Sequence, residues 1–116
     1  MAIIVLQKSA TKEDIKKAKE EYENYIKITV DLRLGLVSIG GEYHADAEAI
    51  LLKKFGSRQQ DIWGGGYNII LDKFEANAVI NIRAPINDSP EILDPEIREK
   101  VLKLAKEKLS KIKSLI

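Results

Sequence analysis

The chain has no cysteine and only one histidine, one tryptophan and one methionine. Without cysteine there is no disulfide framework, no zinc ribbon and no thiol nucleophile. This fits a reducing compartment, and the expected setting is the cytoplasm. A single histidine rules out HExxH and every metal motif that needs two imidazoles. Charge of one sign is also missing: 19 basic residues face 18 acidic ones, for a net charge of +1. That balance argues against a dedicated DNA-binding domain, so nucleic acid is not the expected partner. Long apolar runs are absent as well. Ala2–Leu6 is too short for the core of a signal peptide and lacks a basic flank, and no window reaches the length of a membrane span.

What remains is enough for one domain, residues 1–116, with 45% apolar residues to build a core. Charged residues make up 32%. They are mostly Lys and Glu, with few Gln and Met, a composition that leans toward a thermophile.

Hydrophobic periodicity divides the chain into eight elements. Residues 2–6 form a short apolar run, read as a buried strand. Thr11 opens a helix, with Ile15, Ala18, Tyr22 and Tyr25 at helical spacing. Residues 26–32 alternate as a half-buried strand. Arg33-Leu34-Gly35 is a tight hairpin with Gly35 at positive φ, and Leu36–Ile39 is the returning strand. A helix over 43–55 stops at Gly56. Residues 61–71 hold a strand interrupted or bent at Gly64-Gly65-Gly66, and residues 78–84 alternate as another strand. Asp94-Pro95-Glu96 starts a last helix that runs to the C-terminus. The order βαββαββα predicts an α+β fold with a mostly antiparallel sheet. Its core is a ferredoxin-like split βαβ carrying a β–α extension.

The segment Gly40–Gly66 holds the histidine, the tryptophan and six of the seven glycines. Glu42, His44, Asp46 and Glu48 fall at alternate positions within it. On a helix, His44 and Glu48 line up with Leu51 and Phe55, while Asp46 points away. On an extended segment, Glu42, His44 and Asp46 would share a face. These residues suit a divalent metal site or a histidine–carboxylate acid/base pair, with His44 and Glu48 as catalytic candidates. The structural alternative is that Glu48 orients a packed histidine and Asp46 caps the helix. No metal or cofactor is specified by the pattern.

The triple glycine lacks the lysine and Ser/Thr of a P-loop, so a strand bulge or bend is the preferred reading. Trp63 reads as a core or interface anchor. Asn81 and Arg83 are two apart on the predicted strand and share a face. Arg83 could hold an anion bidentately, or it could pair with Asp31, Glu42 or Asp61. The lysines of the last helix read as a solvated face. Its wide apolar stripe (Val101, Leu102, Leu104, Leu109, Ile112, Leu115 and Ile116) suggests a homodimer through the C-terminal helix.

The run GGE-Tyr43-HADAEAILL, the Asp61-x-Trp63-Gly64 segment, Ile80-Asn81-Ile82-Arg83 and Asp94-Pro95-Glu96-Ile97-Arg98 together resemble a family of short prokaryotic proteins known only as a domain of unknown function. The resemblance spans nearly the whole chain. It implies that Glu42, His44, Asp46, Glu48, Asp61, Trp63, Asn81 and Arg83 occupy the family's polar motif positions, and it brings no activity. One departure stands out. Ala84-Pro85 and Asn87-Asp88-Ser89 replace a proline directly after INIR and a later Gly-Asn-Arg-Ser, which weakens the case for a strongly anion-binding pocket. The leading expectation is a small binding domain with a polar site for a small polar or anionic ligand, formed by Glu42–Glu48, Asp61, Trp63, Asn81 and Arg83. The alternatives are a hydrolase-type or metal-dependent enzyme using His44 and nearby carboxylates, and a protein-interaction or regulatory module.

Overall fold

The computed structural model describes residues 2–116. Its elements are β1 (Ile3–Leu6), α1 (Lys12–Ala18), β2 (Tyr25–Asp31), β3 (Leu36–Gly40), α2 (His44–Lys54), β4 (Ile62–Asn68), β5 (Lys73–Glu75), α3 (Pro95–Lys108) and α4 (Ile112–Leu115). The fold is α+β. One antiparallel sheet runs in the order β1-β3-β2-β4-β5. None of the helices among the described residues is long and apolar enough to cross a membrane.

The order βαββαββα is present, followed by the extra turn α4. β1 and β2 flank β3, which is the first split β-α-β unit of a ferredoxin-like fold. The second half departs from that fold, which would return β4 beside β1. Here β4 pairs with β2 along Tyr25–Asp31, whereas β1 offers a ladder only over Ile3–Leu6. The longer strand gives β4 more hydrogen bonds and more facing side chains.

Local signals explain most boundaries. Thr11 and Asp14 form a reciprocal capping box on α1, with bonds of 3.0 and 3.2 Å. α1 ends at Ala18 rather than running on to Tyr25. Residues 19–24 (KEEYEN) add little to the buried stripe, and a helix turn with nothing to bury is not sustained. Asp31 Oδ1 accepts from the N–H groups of Arg33 (2.8 Å) and Leu34 (3.0 Å), closing the β2–β3 turn. Gly35 takes the left-handed φ of +68° there. Asp94 Oδ1 caps α3 at the N–H groups of Glu96 (2.9 Å) and Ile97 (3.3 Å).

One sheet face carries the main core. Ile26, Ile28, Val30, Val37, Ile39 and Tyr67 pack with Ile15, Ala18, Val101, Ala105, Leu109 and Ile112 from the helices. This corrects the motive for a dimer through the C-terminal helix: Val101, Leu109 and Ile112 are buried, and Leu102, Leu104 and Leu115 are partly buried against the same core. Of the proposed stripe only Ile116 is fully exposed. The other sheet face is lined by small residues. Thr29 and Ser38 are buried there, and α2 covers it with Ala47 and Leu51.

Two further expectations are corrected. The triple glycine is neither a bulge nor a bend, because Gly64, Gly65 and Gly66 pair in unbroken register with Thr29, Ile28 and Lys27. Space is what demands glycine. A Cβ on Gly64 would lie 2.6 Å from the Ala78 methyl, one on Gly65 would collide with the Glu75 carbonyl oxygen, and one on Gly66 would strike the Tyr25 hydroxyl. The fifth strand is Lys73–Glu75 rather than 78–84, where Val79–Asn81 forms a 3-10 turn. Burial here runs in threes with the turn rather than alternating, and it inverts the expected polarity: Ala78 and Asn81 are buried, while Val79 and Ile82 are exposed.

Candidate functional site

That inversion has a cause in the sheet. β5 covers β4 only over Gly66–Asn68, which leaves the edge at Ile62–Gly64 without a strand. The Asn81 carboxamide takes the strand's place. Its Oδ1 accepts from Gly64 N–H at 2.8 Å, and its Nδ2 donates to Gly64 C=O at 2.9 Å and to Pro90 C=O at 3.0 Å. Asn87 holds the loop from within, donating to the carbonyls of Asn81, Ser89 and Glu91 and accepting from Leu93 N–H. The Arg83 guanidinium lies 3.9 Å above the Trp63 ring and donates to the carbonyls of Gln59, Gln60, Ile62 and Ile80. Asn81, Arg83 and Trp63 therefore share one place, but their polar atoms are engaged with main chain and with each other. The guanidinium donors with which Arg83 could grip an anion bidentately are taken up by backbone carbonyls instead.

Asp61 is held by two arginines, Arg33 Nε at 3.4 Å and Arg58 Nε at 3.1 Å. Neither is Arg83. Glu42 is exposed, and only its carbonyl is used, by the Tyr22 hydroxyl at 2.9 Å. Asp46 lies in the first turn of α2 without capping it. The cap position is Tyr43, and no side chain bonds there. Glu48 faces Arg83 electrostatically rather than His44. Burial raises its carboxyl pKa, an effect partly opposed by the Arg83 charge. Among the described residues, no group of three or more His, Asp or Glu side chains is placed to hold a metal ion.

His44 is the first residue of α2 and is 9% exposed. Its Nε2 lies 2.7 Å from the Gly65 carbonyl oxygen. A carbonyl can only accept, so Nε2 carries the proton. The Cδ2 edge of the ring rests against Gly64, which places Nδ1 on the side away from β4. In the neutral ring Nδ1 is then a bare acceptor. Burial lowers the imidazole pKa and the Lys27 charge lowers it further, against an opposing effect of the Gly65 hydrogen bond. His44 is thus neutral at pH 7. The expected His44–Glu48 pair is not made, because the ring's orienting partner is the strand.

His44 lines a cleft of about 530 Å³ bounded by Tyr25 and Lys27 of β2, by Tyr43 and Ala45 at the start of α2, and by Asn77, Ala78, Val79 and Ile80. Of the residues singled out from the sequence, it alone reaches this cleft. Lys27 places its ammonium over aromatic rings, 4.9 Å from the Tyr22 centroid and 5.9 Å from that of Tyr25. The cleft thus combines a cation, a neutral imidazole with a fixed tautomer, an uncapped helix start and an apolar wall.

Lys27 was missed because the alternation in β2 reads as a strand with one wet face, Tyr25 because its spacing reads as part of the first helix, and Tyr43 because it reads as the start of the second. The signal that could have found them is the set of small residues across that face: Ser38, Thr29 and Gly64 lie in one row, and Gly66 lies opposite Lys27. Small side chains in register mark a sheet face that another element covers closely.

No curated protein and no solved structure matches the chain. Residues 4–108 match the family described as protein of unknown function (DUF5674), and the chain belongs to that family.

Proposed function

We propose that this is a small-molecule-binding domain, that its site is the cleft at the start of α2, and that Lys27 selects a ligand with an anionic end. The observation that carries this reading is His44: a ring nine-tenths buried, pinned on one nitrogen by the sheet, with its other nitrogen lacking any partner in a cleft. That nitrogen is not sealed from water, since the buried side-chain atoms without a partner among the described residues are Asp31 Oδ2 and Ser57 Oγ; it is an oriented acceptor open to what enters the cleft. The cleft volume of about 530 Å³ falls within the usual range for small-ligand sites. Its composition fits as well, with mostly apolar walls and a few convergent polar groups.

This keeps the ligand class expected from the sequence and moves the site. The polar set Asn81, Arg83, Trp63 and Asp61 acts as scaffold, and the binding groups are His44 and Lys27. The test is a titration of the isotopically labelled protein with small carboxylates and phosphates, followed through the His44 ring and the Tyr25 and Tyr43 resonances. Shifts confined to these residues, and lost in Lys27→Met, support the reading. Shifts spread over the lysine face of α3, or unaffected by Lys27→Met, overturn it.

The enzymatic alternative rests on the same imidazole. A neutral histidine with a fixed tautomer is a competent proton acceptor near pH 7. No carboxylate orients it, however, and no serine, threonine or cysteine shares its cleft, so binding is the better-supported function.

A further inference from the structure

The polar groups of the cleft differ in hydrogen-bond sense. Lys27 can only donate, and the start of α2, with no side-chain cap at Tyr43, also presents N–H groups. His44 Nδ1 can only accept, because Nε2–H is committed to the Gly65 carbonyl. A plain oxyanion would satisfy Lys27 and the helix start but turn its lone pairs toward the lone pair of Nδ1. A purely apolar ligand would leave both Lys27 and Nδ1 desolvated and unpaired. The wall formed by Ala78, Val79 and Ile80 asks for a hydrocarbon or aromatic body. Val79 is 76% exposed and Tyr43 60%, so both are free to close over such a body.

We infer that the cleft takes a small oxyanion bearing a hydroxyl or N–H donor on the adjacent carbon, attached to an apolar body, the pattern of a 2-hydroxycarboxylate. In this arrangement the carboxylate meets Lys27 and the helix start, the 2-hydroxyl donates to His44 Nδ1, and the body lies on Val79 and Ile80. This rests on the reading of the cleft as a small-molecule site and adds the donor requirement to it.

The experiment uses matched pairs that differ only in the hydroxyl: 3-phenyllactate against 3-phenylpropionate, and 2-hydroxyhexanoate against hexanoate. Each is titrated into the full chain by calorimetry at neutral pH. The hydroxylated member binds about tenfold more tightly, the effect of one hydrogen bond to a buried acceptor. His44→Gln retains a donor for the Gly65 carbonyl and takes the acceptor away from the Nδ1 position, its own acceptor being the amide oxygen beside that donor. It reduces the preference within each pair to about twofold or less. Lys27→Met weakens every probe about tenfold. Equal binding within each wild-type pair, or a preference that survives His44→Gln, overturns the donor requirement and leaves the binding site standing. No binding of either pair at about 10 mM overturns the small-anion site itself.

Discussion

Asn81 and Gly64 are joined as two strands would be, with both the N–H and the C=O of the glycine paired to one side-chain amide at 2.8 and 2.9 Å. A buried amide thus completes a sheet edge that β5 is too short to reach. The same contact fixes the 77–80 wall of the cleft relative to the strand that holds His44. Asn81 is accordingly a residue on which both stability and site geometry depend.

Replacing it tests that dependence. Asn81→Ala leaves the Gly64 N–H and C=O without their partner in a fully buried place and takes from the Pro90 carbonyl one of its two donors, the other being Ala78 N–H. The expected loss is about 2–4 kcal/mol in urea unfolding. Asn81→Asp keeps the size and the acceptor but loses the donor, and it sets a carboxylate against the Gly64 carbonyl, so it should be at least as damaging. A loss below about 0.5 kcal/mol for either variant would mean that the edge is held by something else.

The glycines separate two kinds of constraint. Gly64→Ala meets the Ala78 methyl at 2.6 Å and the His44 ring at 3.0 Å. It should cost about 1–3 kcal/mol as overpacking. Ala78→Gly removes the nearest obstacle, so the double variant should recover part of that loss, a coupling expected only between touching residues. Gly35→Ala meets nothing within 4 Å but sits at φ +68°, and should cost about 1 kcal/mol for conformational reasons alone. Additive losses at Gly64 and Ala78 would refute the steric account.

The tyrosines offer a spectroscopic test. Tyr67 is buried, and its hydroxyl donates to Asp72, which also pairs with Lys113 at 2.9 Å. Burial first, and then the bond to Asp72, raise the Tyr67 pKa to about 12. Tyr25 is likewise pushed to about 12, by burial and by neighbouring Glu75. Absorbance titration should show two phenols ionising about two pH units after an ordinary tyrosine, and Tyr67→Phe should leave one. The Asp72 carboxyl pKa is lowered, chiefly by the Tyr67 hydrogen bond and then by Lys113. Tyr67→Phe should therefore also move the Asp72 titration upward.

The architecture was legible where local chemistry decides it. Capping at Thr11 and Asp94, the turn at Gly35, the stop at Gly56 and the element order all follow from side chains acting on their own neighbourhoods. What was not legible depends on partners distant in sequence. β4 pairs with β2 and not β1, a choice between ladders of different length that no single segment reveals. Residues 78–84 alternate in sequence like a strand, yet they form a turn in which Asn81 is drawn inward by Gly64, a residue 17 positions earlier. Of the candidate site, His44 was found because it is the only imidazole. Lys27 was passed over because its strand reads as half solvated, and Arg83 and Asn81 were overvalued because their partners are backbone atoms, which leave no trace in sequence.

His44 provides the test that bears on both fold and function. Its pKa is lowered in the folded chain, by burial before the Lys27 charge, while the unfolded chain keeps a value near 6.5. Between the folded value and about 6.5 the unfolded state binds more protons, so stability rises with pH through this window and is lost as pH falls below about 6.5. Glu48 works in the opposite sense. Its raised carboxyl pKa removes stability as pH climbs through the window that begins at the ordinary carboxylate value. Urea unfolding from pH 7.5 to 5.5 should therefore show declining stability in the wild type and a flatter profile in His44→Gln. Imidazole titration by NMR should place the midpoint below 6.5 and move it upward in Lys27→Met, which removes the repelling charge. A midpoint at or above 6.5, or one indifferent to Lys27, would mean that the ring is neither buried nor close to the ammonium. The cleft proposed as the binding site would then lose the two groups that define it.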